Sequence, residues 1–530
     1  MLAIAWLMPN HQLPWTTFHS DLTTAVSLSL FSLALLPIFK KKEISVTELH
    51  VLLFVLIILS VLYKLMGVTR YWTQVILPAI YILGFLLAVC VGQVVREKAD
   101  SVYKAFIFIP PLIAAVVSVG LQLSQWLSIP EYGLTDIWIS ESSGIRPSAN
   151  MNQPNQLATL LLWACISTLY FYQQRLLGLK VATLLLGFLC FGVGLTLSRT
   201  GLLNFLLLSI WLFYVHRNEM LLKHVMAWLL TLLVLVASWT LHLLLPEWLG
   251  LSNVATYAVT ELNRDNGLRL TIWQMFVEAV LEKPLWGHGP LMNLAAQYSQ
   301  LSNFPQLGGV LYTNAHNLAL ELAVWFGVPV ATVVVFVWGR WLFSLRRVFL
   351  QKNDDQRFLI AIFLLMLVHA SLELPLHHAY FLLPAGLIIG GLISKNAVIF
   401  SRYKMMLPVE GLFLLILLTL GCVGLLTKEY LDIERQVTIL RFKEANIANT
   451  STPIVPQLFV LDQLAAELRF HVTRTDAKLS DEELLALRNY LESYPYCDAV
   501  DKFRLILVSN QKMEQADMLR VSLSQKCPSH

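Results

Sequence analysis

Apolar residues in this chain run in long blocks, not in the short periodic stripes of a soluble fold. Twelve blocks stand out, near 21–39, 48–66, 74–95, 105–121, 156–172, 181–197, 200–215, 225–245, 317–339, 358–376, 379–394 and 408–427. Most approach the roughly 20 apolar residues that a helix needs to cross a hydrocarbon core. Residues 1–8 form an apolar fragment that is too short to cross and lacks the basic start of a cleaved signal, so it reads as the stub of a further helix. Beyond 427 the pattern becomes periodic. "FVLDQLAAELRFHV", "SDEELLALRNYLESY" and "QADMLRVSLSQ" repeat apolar residues three and four apart, and Ser480 with Glu483 has capping-box spacing. The expected fold is all-α, a polytopic bundle of about 12–13 spans over residues 1–427 with a soluble helical domain over 428–530.

Composition agrees: 57% of the residues are hydrophobic, 14% are charged and mean hydropathy is +0.64, against about a quarter charged in soluble proteins. The net charge of +4 is spread without a basic block, which argues against a nucleic-acid partner. Alternate loops carry Lys40, Lys41, Lys42, Arg96, Lys98, Lys104, Arg175, Lys180, Arg217, Lys223, Arg340, Arg346, Arg347, Lys352, Arg357, Lys395, Arg402 and Lys404. The intervening loops carry only Lys64, Arg70, Arg146, Arg199, Arg264, Arg269 and Lys283. Cytoplasmic loops retain Lys and Arg, so the first set is expected to face the cytoplasm. "PNHQLPW", the loop 122–155, the long loop 246–316 and the tail then lie outside it. Cys90, Cys165, Cys190 and Cys422 fall in spans as small apolar residues, whereas Cys497 and Cys527 fall in the tail, where a disulfide between them is permitted.

Ionisable groups at a hydrocarbon boundary are costly unless paired or functional, and here they gather on one side. Arg199 in "LTLSRTGLL" starts a span at the outer face. Arg269 lies on an amphipathic helix of the long loop, followed by the turn "KPLWGHGP". His316 sits at the outer end of its span, and Glu373, His377 and His378 occupy a short outer turn. Each has a plain structural alternative: Arg199 can snorkel to headgroups, Arg269 can pair with Asp265, and His316 can simply face water. His242 and His369 lie deeper, as satisfied core histidines do. The coincidence of two guanidinium groups, an imidazole and a carboxylate from four segments favours a site. Two Arg forks can hold a diphosphate and neutralise the charge that develops as it leaves. A hydroxyl nucleophile needs a base, and neutral imidazole, with a reference pKa of about 6.5, is the usual choice.

"PNHQLPW" at 9–15, "NQPNQLAT" at 152–159, "LSRTGLL" at 197–203, "RLTIW" at 269–273, "WGHGP" at 286–290 and "NAHNLALE" at 314–321 together resemble the O-antigen ligase superfamily. More narrowly, they resemble its PglL-type protein O-oligosaccharyltransferases. The resemblance implies a bacterial inner-membrane enzyme acting on the periplasmic face. It would transfer a preassembled oligosaccharide from an undecaprenyl-diphosphate carrier in the lipid to Ser or Thr of periplasmic proteins, pilins among them. No metal, nucleotide sugar or other cofactor is implied. By motif, His316 is the expected base, Arg199 and Arg269 bind the diphosphate, and Asn317 orients His316 or the sugar. Gln153, Asn155 and His288 rank second, with helix capping an equal alternative for the first two, and Glu373 ranks below them. Single displacement would invert the anomeric carbon, unlike the two-carboxylate retaining glycosidases. The alternatives are an O-antigen ligase acting on lipid A core, an O-antigen polymerase, or a transporter of the lipid carrier.

Overall fold

The computed structural model describes residues 1–39, 42–127, 138–140, 146–216, 222–248, 269–351, 353–396, 403–447 and 452–527. Lys40, Lys41, Arg217, Arg264, Asp265, Lys352 and Arg402 lie outside these residues. Each apolar block falls on a helix. In order they are α2 (Phe18–Ala34), α3 (Glu48–Leu65), α4 (Thr73–Lys98), α5 (Asp100–Trp126), α6 (Pro154–Gln173), α7 (Leu179–Leu195), α8 (Arg199–His216), α9 (Leu222–Trp248), α12 (Leu318–Leu350), α13 (Asp354–Leu372), α14 (Ala379–Lys395) and α15 (Val409–Glu444). Seven described helices, α3, α4, α5, α9, α12, α13 and α15, are long and apolar enough to cross a membrane, and α7, α8 and α14 are shorter apolar helices. The chain is an integral membrane protein. The fragment at the start forms α1 (Leu2–Trp6), whose buried Trp6 meets Trp163 edge-on at 5.6 Å.

The centre of the bundle packs backbone against backbone. A Cβ at Gly92 would collide with the Leu387 carbonyl and one at Gly390 with that of Val89, so small residues let α4 and α14 approach as membrane helices do. One departure from an all-helical expectation is a two-stranded antiparallel ribbon, Lys42–Val46 with Tyr403–Leu407, in register Lys42↔Leu407. Backbone pairing satisfies two loops that would otherwise present bare peptide groups at a helix end. Gln93 extends the pairing by bonding both the N–H and the C=O of Ser45.

Charged loops gather at the ribbon's end of the bundle. Arg340 pairs with Glu48, Arg96 with Asp100 (2.7 Å) and Asp355 (3.7 Å), and Lys104 with Asp355. At the opposite end α12 breaks at Gly327 (φ 81°, ψ 167°). Backbone freed at membrane depth needs partners from the protein, and the loop over 284–289 supplies them. His288 and Gly289 donate to the Val324 and Trp325 carbonyls at 2.7 and 3.0 Å, and Val328 donates to Pro284 at 2.8 Å. A Cβ at Gly287 (φ +67°) would meet the Val324 carbonyl at 2.6 Å, so "WGHG" requires glycine there.

The tail is not hung on a linker. Helix α15 continues unbroken past residue 427 to Glu444, with no Gly or Pro to stop it after 424. Buried Glu429 then accepts the backbone N–H groups of Phe459, Val460 and Leu461, tying the returning segment to the helix. Four further helices follow: α16 (Asp462–Val472), α17 (Asp481–Ser493, with the expected Ser480–Glu483 capping box), α18 (Cys497–Ser509) and α19 (Met513–Lys526). Asp462 accepts from the N–H groups of Trp72 and Thr73, so the tail caps α4.

Candidate active site

At the end opposite the ribbon, four side chains converge on Glu373, which terminates α13 and is 7% exposed. Arg269, at the start of the helix α10 over residues 269–282, donates to Oε1 at 3.0 Å. Asn155 donates to the same oxygen through Nδ2. Gln153 donates to Oε2 at 3.0 Å, and His369 Nε2 lies 3.3 Å from it. Burial opposes ionisation of this carboxyl. It is outweighed by the His369 hydrogen bond and by electrostatic interaction with His369, Arg269 and His316, so the Glu373 pKa falls below its ordinary value. Glu373 is therefore a carboxylate at neutral pH, and His316 lies within its electrostatic reach.

Behind this ring a second set fixes the donors. The Asn155 oxygen accepts from Ser198 Oγ at 2.6 Å and from Arg146 at 3.1 Å, which leaves its amide nitrogen to face Glu373. Arg146 also donates to the Thr196 carbonyl at 2.9 Å. Thr159 Oγ1 meets His369 Nδ1 at 2.8 Å. Gln153 does two things at once: its oxygen caps α6 by accepting from the Gln156 N–H at 2.9 Å, and its amide nitrogen reaches Glu373.

His316 is set by its neighbours in sequence. Ala315 is gripped on both sides, its N–H by the Glu321 carboxylate at 2.7 Å and its C=O by the Trp273 indole at 3.0 Å. Trp273 is one turn from Arg269 on α10, so "RLTIW" connects the guanidinium to the loop of "NAHNLALE". Asn293 braces Glu321 and the Thr313 carbonyl, and Asn317 caps α12 by accepting from Leu320 N–H at 3.1 Å. Held this way, His316 adopts φ 50°, and Leu197 (φ 48°) and Asn152 (φ 52°) also adopt left-handed backbone beside Arg199 and Gln153. Such conformations cost of order 1–3 kcal/mol each outside glycine and persist where surrounding structure enforces them, often at functional sites.

The sequence candidates thus divide. Arg269, Gln153, Asn155 and Glu373 share one hydrogen-bonded cluster, with His316 beside it. Arg199 follows Ser198 at the first residue of α8 with its side chain exposed. Asn317 is occupied in capping. His288 turns away, bonding the Ala279 carbonyl at 2.8 Å, and serves the turn over Gly327. Cys497 and Cys527 form a disulfide (Cα–Cα 6.0 Å) that packs on Gly309, in the loop leading to His316. Sequence reasoning passed over Arg146, Ser198, Trp273, Glu321 and the role of His369. The His369–Glu373 spacing of four on one helix was the signal available for the last. Among the described residues no three His, Cys, Asp or Glu side chains group as metal ligands do.

Comparison with known proteins gives three family matches. "O-Antigen ligase" covers residues 181–336, "Protein glycosylation ligase" covers 147–172, and "Virulence factor membrane-bound polymerase, C-terminal" covers 357–524. A general O-oligosaccharyltransferase of Acinetobacter baylyi is 25% identical over 534 residues, spanning 97% of this chain and 89% of its own length. The chain carries the O-antigen ligase domain and is similar over nearly its whole length to a PglL-type O-oligosaccharyltransferase. A ComP-specific O-oligosaccharyltransferase of the same organism is 24% identical over 400 residues, spanning 74% of this chain and 70% of its own length. No solved structure matches. The protein is a glycosyltransferase, and the two short family matches fall on parts of the polar cluster: 147–172 contains Gln153, Asn155 and Thr159, and 181–336 contains Ser198, Arg269 and His316.

Proposed function

We propose that this membrane glycosyltransferase moves a preassembled oligosaccharide from an undecaprenyl-diphosphate carrier to Ser or Thr hydroxyls of periplasmic proteins, pilins among them, at the outer face of the bacterial inner membrane. The observation that carries the reading is the convergence of Arg269, Asn155, Gln153 and His369 on Glu373 beside His316, at the end of the bundle away from the basic loops. Arg269 rests on Glu373 as a counter-ion, so its fork is oriented before a donor arrives. A diphosphate meeting Arg199 and Arg269 would have its leaving charge neutralised in a water-poor site. His316, on its enforced backbone, would take the acceptor hydroxyl proton as oxygen attacks the anomeric carbon, inverting it without a metal. A cavity of about 630 Å3 supports a long apolar substrate. It is bordered by Thr313 and Leu318 near His316 and continues between Leu56, Ile82, Phe326 and Val334 of the spans.

The test is in vitro transfer with purified protein, a polyprenyl-diphosphate-linked glycan and an acceptor peptide, with chelator present throughout. Formation of inverted O-linked glycopeptide supports the reading, and its absence with an active donor overturns it. The match of residues 357–524 to a polymerase C-terminal model keeps one rival acceptor in view, a second glycan in place of protein. Lipid A core is the other. Both share the donor chemistry, so mass spectrometry of periplasmic proteins beside lipopolysaccharide profiling in a deletion strain separates them.

A further inference from the structure

Helix α10 has three faces, and only two are explained by the site. Ile272, Met275, Phe276, Ala279 and Val280 are buried against the loop that presents His316. Glu278 and Glu282 bond Asn303, Ser299 and Gln300 on a polar flank. The third face presents Leu270, Gln274, Val277 and Leu281 at helical spacing, continued by Leu285 and Trp286, and all are exposed. Leu281, Leu285 and Trp286 are 67, 65 and 72% exposed. A row of this kind on a loop helix marks a covering partner of some kind.

Two helices measure how deep this row lies. The Arg340–Glu48 ion pair marks the basic boundary of both α12 and α3. Tyr63, fifteen residues along α3 from Glu48, donates to the Trp286 carbonyl. At 1.5 Å per residue this puts Trp286 about 22 Å from that boundary. Gly327, whose Cβ would touch Trp286 N at 2.9 Å, is thirteen residues along α12 from Arg340, or about 20 Å. A hydrocarbon core of about 30 Å then still has several ångströms above Trp286. The other end of α10 is held higher, where Trp273 bonds Ala315, three residues before α12 begins. The row is also continuous with the lipid-facing side of α3, where Ile58, Leu62 and Leu65 are exposed.

We propose that α10 is an oblique interfacial helix whose Leu270–Trp286 face is inserted into outer-leaflet lipid of the host membrane, carrying Arg269 at the headgroup level. The occupant is lipid because both rulers place the row within the hydrocarbon thickness, where water and a soluble partner are absent. Gln274 lies nearer the Arg269 end, and exposed Lys283, between Leu281 and Leu285, has a stem long enough to carry its ammonium toward the headgroups. The consequence for Arg269 rests on the proposed function: a diphosphate diffusing in the leaflet would meet the guanidinium at its own depth.

The test is spin labelling of the full-length protein in lipid nanodiscs, with Cys90 and Cys422 replaced by Ala. Labels at Leu281→Cys and Leu285→Cys should collide with oxygen more than with a water-soluble nickel chelate, as at Ile58→Cys, and Ser302→Cys should show the reverse. Water-like collision at both 281 and 285 overturns the proposal. So does dipolar broadening that disappears on spin dilution, which would place a second copy of the chain on this face. These readouts need no donor or acceptor and stand apart from the transfer assay. Where transfer is observed, Leu281→Glu should raise KM for a long-chain donor several-fold and leave transfer from a short-chain, water-soluble diphosphate donor unchanged. Equal effects on both donors would remove the link to Arg269.

Discussion

The bundle has a charged cluster near each end, and the two are built differently. At the basic end Arg96 and Lys104 face Asp100 and Asp355, two cations against two carboxylates in direct contact, with Arg96 only 3% exposed. That cluster is closed, and it locks α4, α5 and α13 to one another. At the other end Arg269 bonds a single carboxylate, Glu373, directly, that carboxylate also accepts from the neutral amides of Asn155 and Gln153, and Arg146 reaches it only through Asn155, with three residues in left-handed backbone nearby. A closed set of ion pairs stabilises a bundle, whereas a carboxylate shared between one cation and neutral amides can give way to an anionic ligand. Each cluster has a buried charged member, Arg96 or Glu373, so burial of charge does not by itself identify a site. The neutral amide partners and the enforced backbone do.

The sharpest way to break this comparison is to remove the reacting groups. His316→Ala and Arg269→Ala should each abolish transfer, by roughly 10²–10⁴-fold where a general base is lost, while immunoblots show normal accumulation in the membrane. Full glycosylation by either variant would overturn the assigned roles. Glu373→Gln should come next. It keeps the shape but loses the charge that orients Arg269, and we expect roughly tenfold to hundredfold lower kcat, with the protein still folded. Glu373→Ala should also cost stability, about 1–3 kcal/mol for each buried donor left without an acceptor. Because the Glu373 pKa is lowered on folding, its contribution is present above the ordinary glutamate range and is lost as pH falls through the lowered value. Wild-type thermal stability should therefore be insensitive to this group between pH 5 and 8, roughly, and the difference between wild type and Glu373→Gln should shrink only below about pH 4.

The opposite result is expected from the basic end. Arg96→Met should lower accumulation, at a cost up to about 3 kcal/mol for stranding a partner of a buried pair, yet leave activity per molecule close to wild type. A selective loss of kcat there would mean that the two clusters do not divide as described. A modest effect on transfer is expected from Cys497→Ser with Cys527→Ser. Losing a disulfide between residues 30 apart costs about 3.6 kcal/mol in the chain-entropy view, which thermal melts would register in the tail helices. Transfer should fall modestly, through the Gly309 contact with the loop leading to His316.

Much of this architecture is legible in the sequence. Block hydropathy located the described helices α2–α9 and α12–α15, because a membrane helix must satisfy its own backbone and so must be continuous and apolar. The charge bias grouped the loops, and the ion pairs and ribbon at one end agree with that grouping. The candidate site was legible as a list of residue types at one face. What the sequence does not carry is contact. Glu373, the lowest-ranked candidate, is the residue on which Arg269, Asn155, Gln153 and His369 converge, and His288, a second-rank candidate, bonds the Ala279 carbonyl beside a broken helix. Arg146 reads along the chain only as a topology marker. The boundary drawn at 427 falls inside α15, since loss of apolar character ends a span without ending a helix.

The sequence alone determined that this chain lives in a membrane, where its apolar helices lie, and which chemistries its polar residues could support, because solvent preference and protonation chemistry are properties of single residues. Tertiary structure decided which of those groups meet. Asn155 and Glu373 are 218 positions apart, and nothing along the chain records that separation as a contact. It also decided the conformation of His316, which two neighbours impose by holding the Ala315 peptide. Local propensity would not choose that backbone for histidine, and only packing from other helices can supply the energy to keep it.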